Sequence, residues 1–470
     1  MSQFDTYDSL LNSIVAESGD EVKNPATGEV VGIAPAGTPE DMEQAIARAR
    51  DAQKDWAKLG EEKRNELLLA AADAIEAAAE PLAELLSREQ GKPLNGPNAR
   101  FEVGACSAWL RATASFESPD HTVVEDGETT AKVFYRPLGV VGAIGPWNWP
   151  MMISVWQLAP ALRMGNTVVM QPSEYTPLSV LALVKVINSV LPEGVLNIVT
   201  GDGKVGAALS TSQGIDKLMF TGSTETGRKI VESTAASLAR VTLELGGNDA
   251  GIVLDDVNAK EIAEGLFWGA FINTGQTCAA MKRLYVPESI YDEVVEALVE
   301  VAKNMPMGVG LEEENVLGPL QNKQQFDIVD KLVKAAKDGG ARVLVGGEPD
   351  YDQPGYFFPT TLVADIDNDN PLVAEEQFGP ALPIIKYSTV DEAIEMANSL
   401  DVGLGSSVWS ADRERALEVA SQLEAGTTWI NAHGNVDPRI PFGGTKNSGY
   451  GVEFGVEGLK GLAYPHVVNG

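Results

Sequence analysis

From Gly139 onward, short apolar runs alternate with amphipathic stretches. "VVGAIG", "NTVVM", "LNIVT", "KLMF" and "VTLEL" each read as a buried strand, and helical spacing fills most of the gaps between them. Apolar runs without internal alternation suit strands covered on both faces, so the pattern predicts a parallel sheet built from βαβ units. A second series starts near Asp249 and continues through "RLYV", "RVLVGG", "ALPIIKY", "SSVWS" and "TTWIN". The chain therefore reads as two α/β halves with a border near residues 246–249. Before Gly139 the pattern is helical. Thr38-Pro39-Glu40-Asp41 is a helix start: a Thr cap, Pro in the first turn, and acids where the helix dipole favours them. Met42, Ala45, Ile46 and Ala49 then keep helical spacing, and Ala-rich helices continue to about Ser115. The turn Glu125-Asp126-Gly127-Glu128 precedes a strand-like stretch from Lys132 to Arg136. The uncharged run from Gly139 to Leu162 has the length of a membrane span, but Pro146, Asn148, Pro150 and Gln157 interrupt it. Strand, turn and buried helix is the reading it supports.

Composition narrows the function classes. The 470 residues are 44% hydrophobic and 22% charged, as in ordinary globular proteins, and 470 residues suffice for two or three domains. The formal net charge of −32 repels phosphate backbones and argues against nucleic-acid binding. Cys106 and Cys278 are the only cysteines, too few for a disulfide framework, so a reduced, cytoplasmic protein is expected. His121, His433 and His466 are scattered without metal-ligand spacing. The opening "MSQFDTYDSL" lacks the basic-then-apolar pattern of a signal peptide.

Several polar residues stand out against this background. Cys278 lies in "FINTGQTCAAMKR", among Gly, Thr, Gln and Asn, whereas Cys106 in "FEVGACSAWL" follows helical spacing and reads as core. A reactive thiol needs access, donors for an oxyanion and, if water follows, a base. Glu244 sits in "VTLELGGN", inside an apolar run that ends in Gly246-Gly247; it reads equally as a desolvated base or an ion-paired structural acid. Asn148, in "GPWNWP", is either a turn former or an amide donor to a developing oxyanion. "GDGKVG", Gly201 to Gly206, is either a glycine turn or a dinucleotide fingerprint. In "KLMFTGSTETG", Ser223 is placed to cap a helix beginning near Thr224, a position that suits a pyrophosphate. Glu174, just past the strand ending at Met170, is either a solvated loop acid or a ribose ligand.

Together these segments resemble the aldehyde dehydrogenase superfamily. "GPWNWP", "FTGSTETG", "LELGGN", "GQTC", "EEQFGP" and "PFGGTKNSG" occur in that family's order and at similar separations, over nearly the whole chain. The resemblance implies a Rossmann-like cofactor domain, a second α/β catalytic domain and a small β arm that joins subunits into dimers or tetramers. It places the cofactor domain at 1–117 and 138–246, with 447–462 returning to it, the catalytic domain at 247–446, and the arm at 118–137 and 463–470. It implies Cys278 as nucleophile, Asn148 with the Cys278 N–H as oxyanion donors, and Glu244 as the base that activates water. Glu376 is then expected on the nicotinamide ribose, Phe378 against the ring, Ser223 at the pyrophosphate and Glu174 at the adenosine ribose. Trp147, Gln171, Ser173, Gly203, Phe220, Gly222 and Gly246 complete the implied cofactor site, with "GDGKVG" walling the adenine.

Three positions depart from the family pattern: Gln171 and Gln157 stand where lysine is usual, and Val452 where arginine is usual. An uncharged Gln171 beside Glu174 favours NAD over NADP. Trp149, Met152, Ile153, Trp156, Ile272 and Phe442 match positions that line the family's aldehyde tunnel, and suggest an uncharged aliphatic or aromatic aldehyde. Arg283 and Arg439, near those segments, leave an anionic substrate open. Competing readings are an acylating dehydrogenase that hands its thioester to coenzyme A, a non-redox cysteine thioesterase, and a non-catalytic binding protein.

Overall fold

The computed structural model describes residues 4–470. Residues 1–3, assigned above to the cofactor domain, lie outside the described residues. Five of the apolar runs, Val140–Ile144, Thr167–Gln171, Leu196–Ile198, Lys217–Thr221 and Arg240–Glu244, pair in parallel. In space the third strand is at one edge, followed by the second, first, fourth and fifth. Gly449–Tyr450 returns from the C-terminal region and adds an antiparallel sixth strand against Leu243 and Glu244. This doubly wound order leaves a crevice where the winding reverses, beyond the carboxyl ends of Val140–Ile144 and Lys217–Thr221.

The second series forms a seven-stranded sheet. Thr361–Ala364, Ala381–Tyr387, Met281–Pro287, Asp249–Val253, Gly405–Trp409 and Thr427–Ile430 run parallel, and Arg342–Val345 closes one edge antiparallel. Met281–Pro287 is buried along its whole length, which explains its apolar reading. A third sheet, separate from both, pairs Ala463–Asn469 with Thr130–Pro137 and that strand with His121–Glu125. Val123, Val467 and Val468 are exposed on it.

The Thr38 helix start is realised with an added reciprocal bond. Thr38 Oγ1 accepts from the Asp41 N–H, and the Asp41 carboxylate accepts from the Thr38 N–H. The uncharged run after Gly139 becomes strand, turn and the buried helix Pro150–Arg163. Among the described residues no helix is long and apolar enough to cross a membrane. The strand Thr361–Ala364 and the N-terminal hairpin of Asp20–Lys23 and Val30–Ala34 had no clear alternation to mark them.

Two helix N-termini are capped by acids far away in sequence. Glu89 accepts from the N–H groups of Leu178 and Ser179 at 2.6 and 2.8 Å, and its burial raises its pKa to about 7. Glu102 accepts from Met151 and Met152 at 2.9 and 3.1 Å, at the start of the Pro150–Arg163 helix. Its other oxygen meets Lys92 Nζ at 2.6 Å, and both side chains are fully buried. Lys92 also donates to the Asn148 carbonyl at 2.8 Å and lies 3.6 Å from the centre of the Trp149 ring. The ammonium thus fixes the turn that carries Asn148.

Lys92→Met is expected to destabilise the protein by about 3–5 kcal/mol, because it strands a buried carboxylate. Replacing Lys92 and Glu102 together by apolar residues should cost less than replacing Lys92 alone. Urea unfolding of the three proteins side by side checks that order.

Candidate active site

The crevice between the two sheets opens into a cleft of about 350 Å³. One wall comes from the turns after Val140–Ile144 and Lys217–Thr221: Trp147, Asn148, Gly222 and Ser223. The other comes from the second sheet: Cys278, just before the strand Met281–Pro287, with Glu376 and Phe378. Glu244, at the end of its strand, closes the floor with Gly246 beyond it. Residues from five separate segments therefore meet at one place.

The polar company of Cys278 has a structural cause that the sequence reading attributed to access. Asn273, Thr274 and Gly275 are consecutive left-handed residues, with φ of 49°, 57° and 76°. Such a run is strained for the two non-glycine residues and persists only when its surroundings over-determine it. They do. Asn273 Nδ2 donates to the carbonyls of Asn148 and Gln276. Thr274 Oγ1 accepts from the Gly318 N–H at 2.9 Å. Gln276 donates to Asn273 O and Pro319 O and accepts from the Gln321 N–H. All three side chains are buried. They fasten a strained turn and do not line a wet approach. Cys278 itself is half-buried at the cleft wall.

Asn148 joins the two walls. Its side-chain Nδ2 donates to the Gln276 carbonyl at 2.9 Å, in the turn before Cys278, leaving a second N–H on the same amide. Its backbone carbonyl accepts from Lys92 and Asn273.

Electrostatics in the cleft favour uncharged acids. Burial, reinforced by the negative charge of Glu453, holds the Glu244 carboxyl well above the usual carboxylate range. Neither Glu244 oxygen has a hydrogen-bond partner. Glu453 is raised by burial to about 7, with Lys217 opposing the shift. The Cys278 thiol is pushed up to about 12, chiefly by burial. Lys282 and the Ala279 N–H oppose that rise; Glu244 and Asp249 add to it. Sequence reading passed over Glu453, Lys92 and Lys282. Glu453 adjoins the noted Val452, but its closeness to Glu244 comes from a sheet pairing with no local signal.

The residues present fit a dinucleotide. Ser223 caps the helix Thr224–Thr234 through the Thr226 N–H, so a helix N-terminus suited to phosphate borders the cleft. Trp147 and Phe378 meet edge to face, 5.4 Å between ring centres. Glu376 presents an acceptor-only carboxylate so close to Gly246 that a Cβ there would lie 2.5 Å from Glu376 Oε2. Other expected cofactor residues lie outside the lining of this cleft. Phe220 is a core side chain packed under Gly222. Gln171 is buried, and its amide donates to the carbonyls of Gly201 and Asp202 at 3.2 and 3.0 Å. It therefore ties down the "GDGKVG" turn instead of facing a ribose. Glu174 and Gly203 are exposed, and Ser173 is intermediate.

The six apolar tunnel candidates divide in two. Met152, Ile153 and Trp156 are buried on the Pro150–Arg163 helix; Trp156 packs against Trp109 and Phe454, and Phe442 stacks on Phe454. Ile272 borders a second cavity of about 420 Å³ on the far side of the nucleophile turn, together with Thr277, Trp268 and Asn435. Trp149 donates to Thr277 Oγ1 at 2.9 Å, so the two groups adjoin. Arg283 turns away: its guanidinium donates to Asn248 O, Met396 O, Ala397 O and the Tyr285 hydroxyl. Arg439 is exposed and pairs with Asp437. Neither arginine lines the cleft. Among the described residues no three His, Cys, Asp or Glu side chains are placed to hold a metal ion.

Comparison with known proteins agrees with this geometry. An NAD⁺ complex of an aldehyde dehydrogenase from Bacillus cereus superposes with a TM-score of 0.93 at 35% identity, covering 98% of this chain and 97% of that one. Lactaldehyde dehydrogenase from Escherichia coli gives 0.92 at 33% identity, over 97% and 96% of the two chains. Betaine aldehyde dehydrogenase from Staphylococcus aureus, solved with NAD⁺, gives 0.91 at 32% identity, over 97% and 92%. The model of the aldehyde dehydrogenase family matches residues 14–468, and with a doubly wound cofactor sheet facing a cysteine, an amide and a buried acid, the chain belongs to that family.

Proposed function

We propose that this aldehyde dehydrogenase uses Cys278 as its nucleophile, Asn148 as oxyanion donor and Glu244 as the base for deacylation, with NAD as oxidant and an uncharged aldehyde as substrate. The observation that carries this is the convergence of Cys278, Asn148 and Glu244 on one cleft that also holds Glu376 and Phe378. The Cys278 sulfur gives up its thiol proton to solvent and bonds to the aldehyde carbon, and the carbonyl oxygen becomes an oxyanion. The free N–H of the Asn148 amide stabilises it. Bound NAD supplies the hydride acceptor. Loss of hydride from that carbon leaves a thioester on Cys278. Glu244 in its carboxylate form then takes a proton from water, whose oxygen attacks the thioester and releases the carboxylic acid and the thiol. A partnerless buried acid at the cleft floor suits this step, and it disfavours transfer to coenzyme A, where water attack must be suppressed. A non-redox thioesterase would have no use for the aromatic edges and the Glu376 carboxylate.

NAD over NADP is favoured because Gln171 is neutral and occupied by the Gly201–Asp202 turn, while Glu174 repels a 2′-phosphate. The apolar residues Trp149, Met152, Ile153, Trp156, Ile272 and Phe442 favour uncharged aliphatic or aromatic aldehydes. We assign the exposed three-stranded sheet, at 118–137 and 463–470, to subunit pairing in a dimer or tetramer, since its apolar outer positions and open edge would be covered there. The low cysteine count fits a reduced cytoplasm.

Purified protein with an aldehyde panel should reduce NAD faster than NADP at equal concentration; no NADH with any aldehyde would overturn the reading. Cys278→Ala should abolish turnover while NAD still raises the melting temperature. Glu244→Gln should give a burst of NADH and then stall.

The pH dependence has a defined sign. Deacylation needs ionised Glu244, whose pKa is raised, so kcat should climb with pH on its acid limb. Glu453→Gln removes a negative neighbour, lowers the Glu244 pKa, and should move that limb to lower pH. Light scattering should report the mass of a dimer or tetramer; a monomer would remove the assigned role of the third sheet.

A further inference from the structure

Lys282 is a lysine inside a strand buried on both faces, with a side chain only 1% exposed. Desolvating an ammonium is costly, so its partners must hold it tightly. Its Nζ donates to the carbonyl of Cys278 at 2.6 Å and to that of Thr277 at 3.0 Å. It forms an ion pair with Glu376 Oε1 at 3.2 Å, and Glu376 Oε1 also accepts from the Gly247 N–H.

Those two carbonyls belong to the two peptide groups that flank the nucleophile. The Thr277 carbonyl shares its peptide with the N–H of Cys278. The Cys278 carbonyl shares its peptide with the N–H of Ala279, whose dipole favours the thiolate. A cation on a peptide oxygen polarises the group and strengthens its N–H as a donor. One lysine thus acts on both peptide groups that flank the sulfur.

We propose that Lys282 is a positioning residue of the acyl-transfer centre: it orients and polarises the two peptide N–H groups flanking Cys278, and through Glu376 it ties that turn to the cofactor wall. This rests on Cys278 being the nucleophile and Glu376 a cofactor ligand, as argued above. The charged environment agrees. Glu244 and Asp249 act on the thiol, Glu376 lines the same cleft, Glu453 and Lys217 lie behind Glu244, and His433 faces Asp249. Lys282 is the cation that acts directly on the sulfur against these acids.

The test is the rate of Cys278 alkylation by iodoacetamide against pH, followed by peptide mass, without aldehyde or cofactor. Lys282→Met should shift the inflection up by about one pH unit or more. It should also weaken NAD binding, read from the melting-temperature rise with NAD, and Lys282→Arg should restore part of both. A folded Lys282→Met protein with an unchanged alkylation profile overturns the proposal. If Lys282→Met does not fold, Glu376→Gln decides: freeing the ammonium of its counter-charge should shift the inflection down, and no shift overturns the proposal. Alkylation needs no turnover, so a wild-type protein that oxidises no aldehyde would defeat the proposed function without touching this result.

Discussion

The site depends on Asn148 being held from both sides. Its carbonyl accepts from Lys92 of the helical region and from Asn273 of the nucleophile turn, while its amide donates to Gln276 of that same turn. All four residues are buried, so these bonds form where water does not compete and where an unmade bond is expensive. That locks the carboxyl end of one sheet to the amino end of a strand in the other. The distance between the Asn148 amide and the Cys278 sulfur on separate sheets is then a property of a rigid joint and not of two mobile loops.

The same low-dielectric interior sets the chemistry. Buried acids are abundant here, and each is treated differently. Glu102 has Lys92 and two helix N–H groups. Glu89 has two N–H groups and no cation, and it rises to about 7. Glu244 has neither, and burial with the charge of Glu453 holds its pKa well above the usual range, with no bond to its oxygens. The difference in bonding follows from the partners and not from residue type. An acid that must exchange protons with water gains from lacking them, whereas an acid that fastens a helix needs them.

Much of this was legible in the chain. Runs such as "NTVVM" and "KLMF" carry no alternation because both faces of a parallel strand are covered, and they gave the doubly wound order its strands. Thr38 and Ser223 announced their helices because a cap and its target lie within one turn. The motif residues Cys278, Glu244 and Asn148 were readable through the resemblance, and they share one cleft. Gln171 was readable as an exception, but not its partner: only the folded chain shows its amide on the Gly201 and Asp202 carbonyls. Arg283 looked close to the pocket in sequence, and strand direction turns it toward Met396 and Ala397.

The amino-acid sequence by itself determined most strands of both halves and the family, and it singled out Cys278, Glu244 and Asn148 as candidates, because local periodicity and short motifs encode each of these. Tertiary structure alone decided which charges meet in the dark: Lys92 with Glu102, Lys282 with Glu376 and the carbonyls of the nucleophile turn, Glu453 behind Glu244. Lys92 and Glu102 lie only ten residues apart, but the folding of the chain between them decides that they meet; Lys282 with Glu376 and Glu453 behind Glu244 depend on long-range packing, and a pKa depends on every neighbour within a few ångströms.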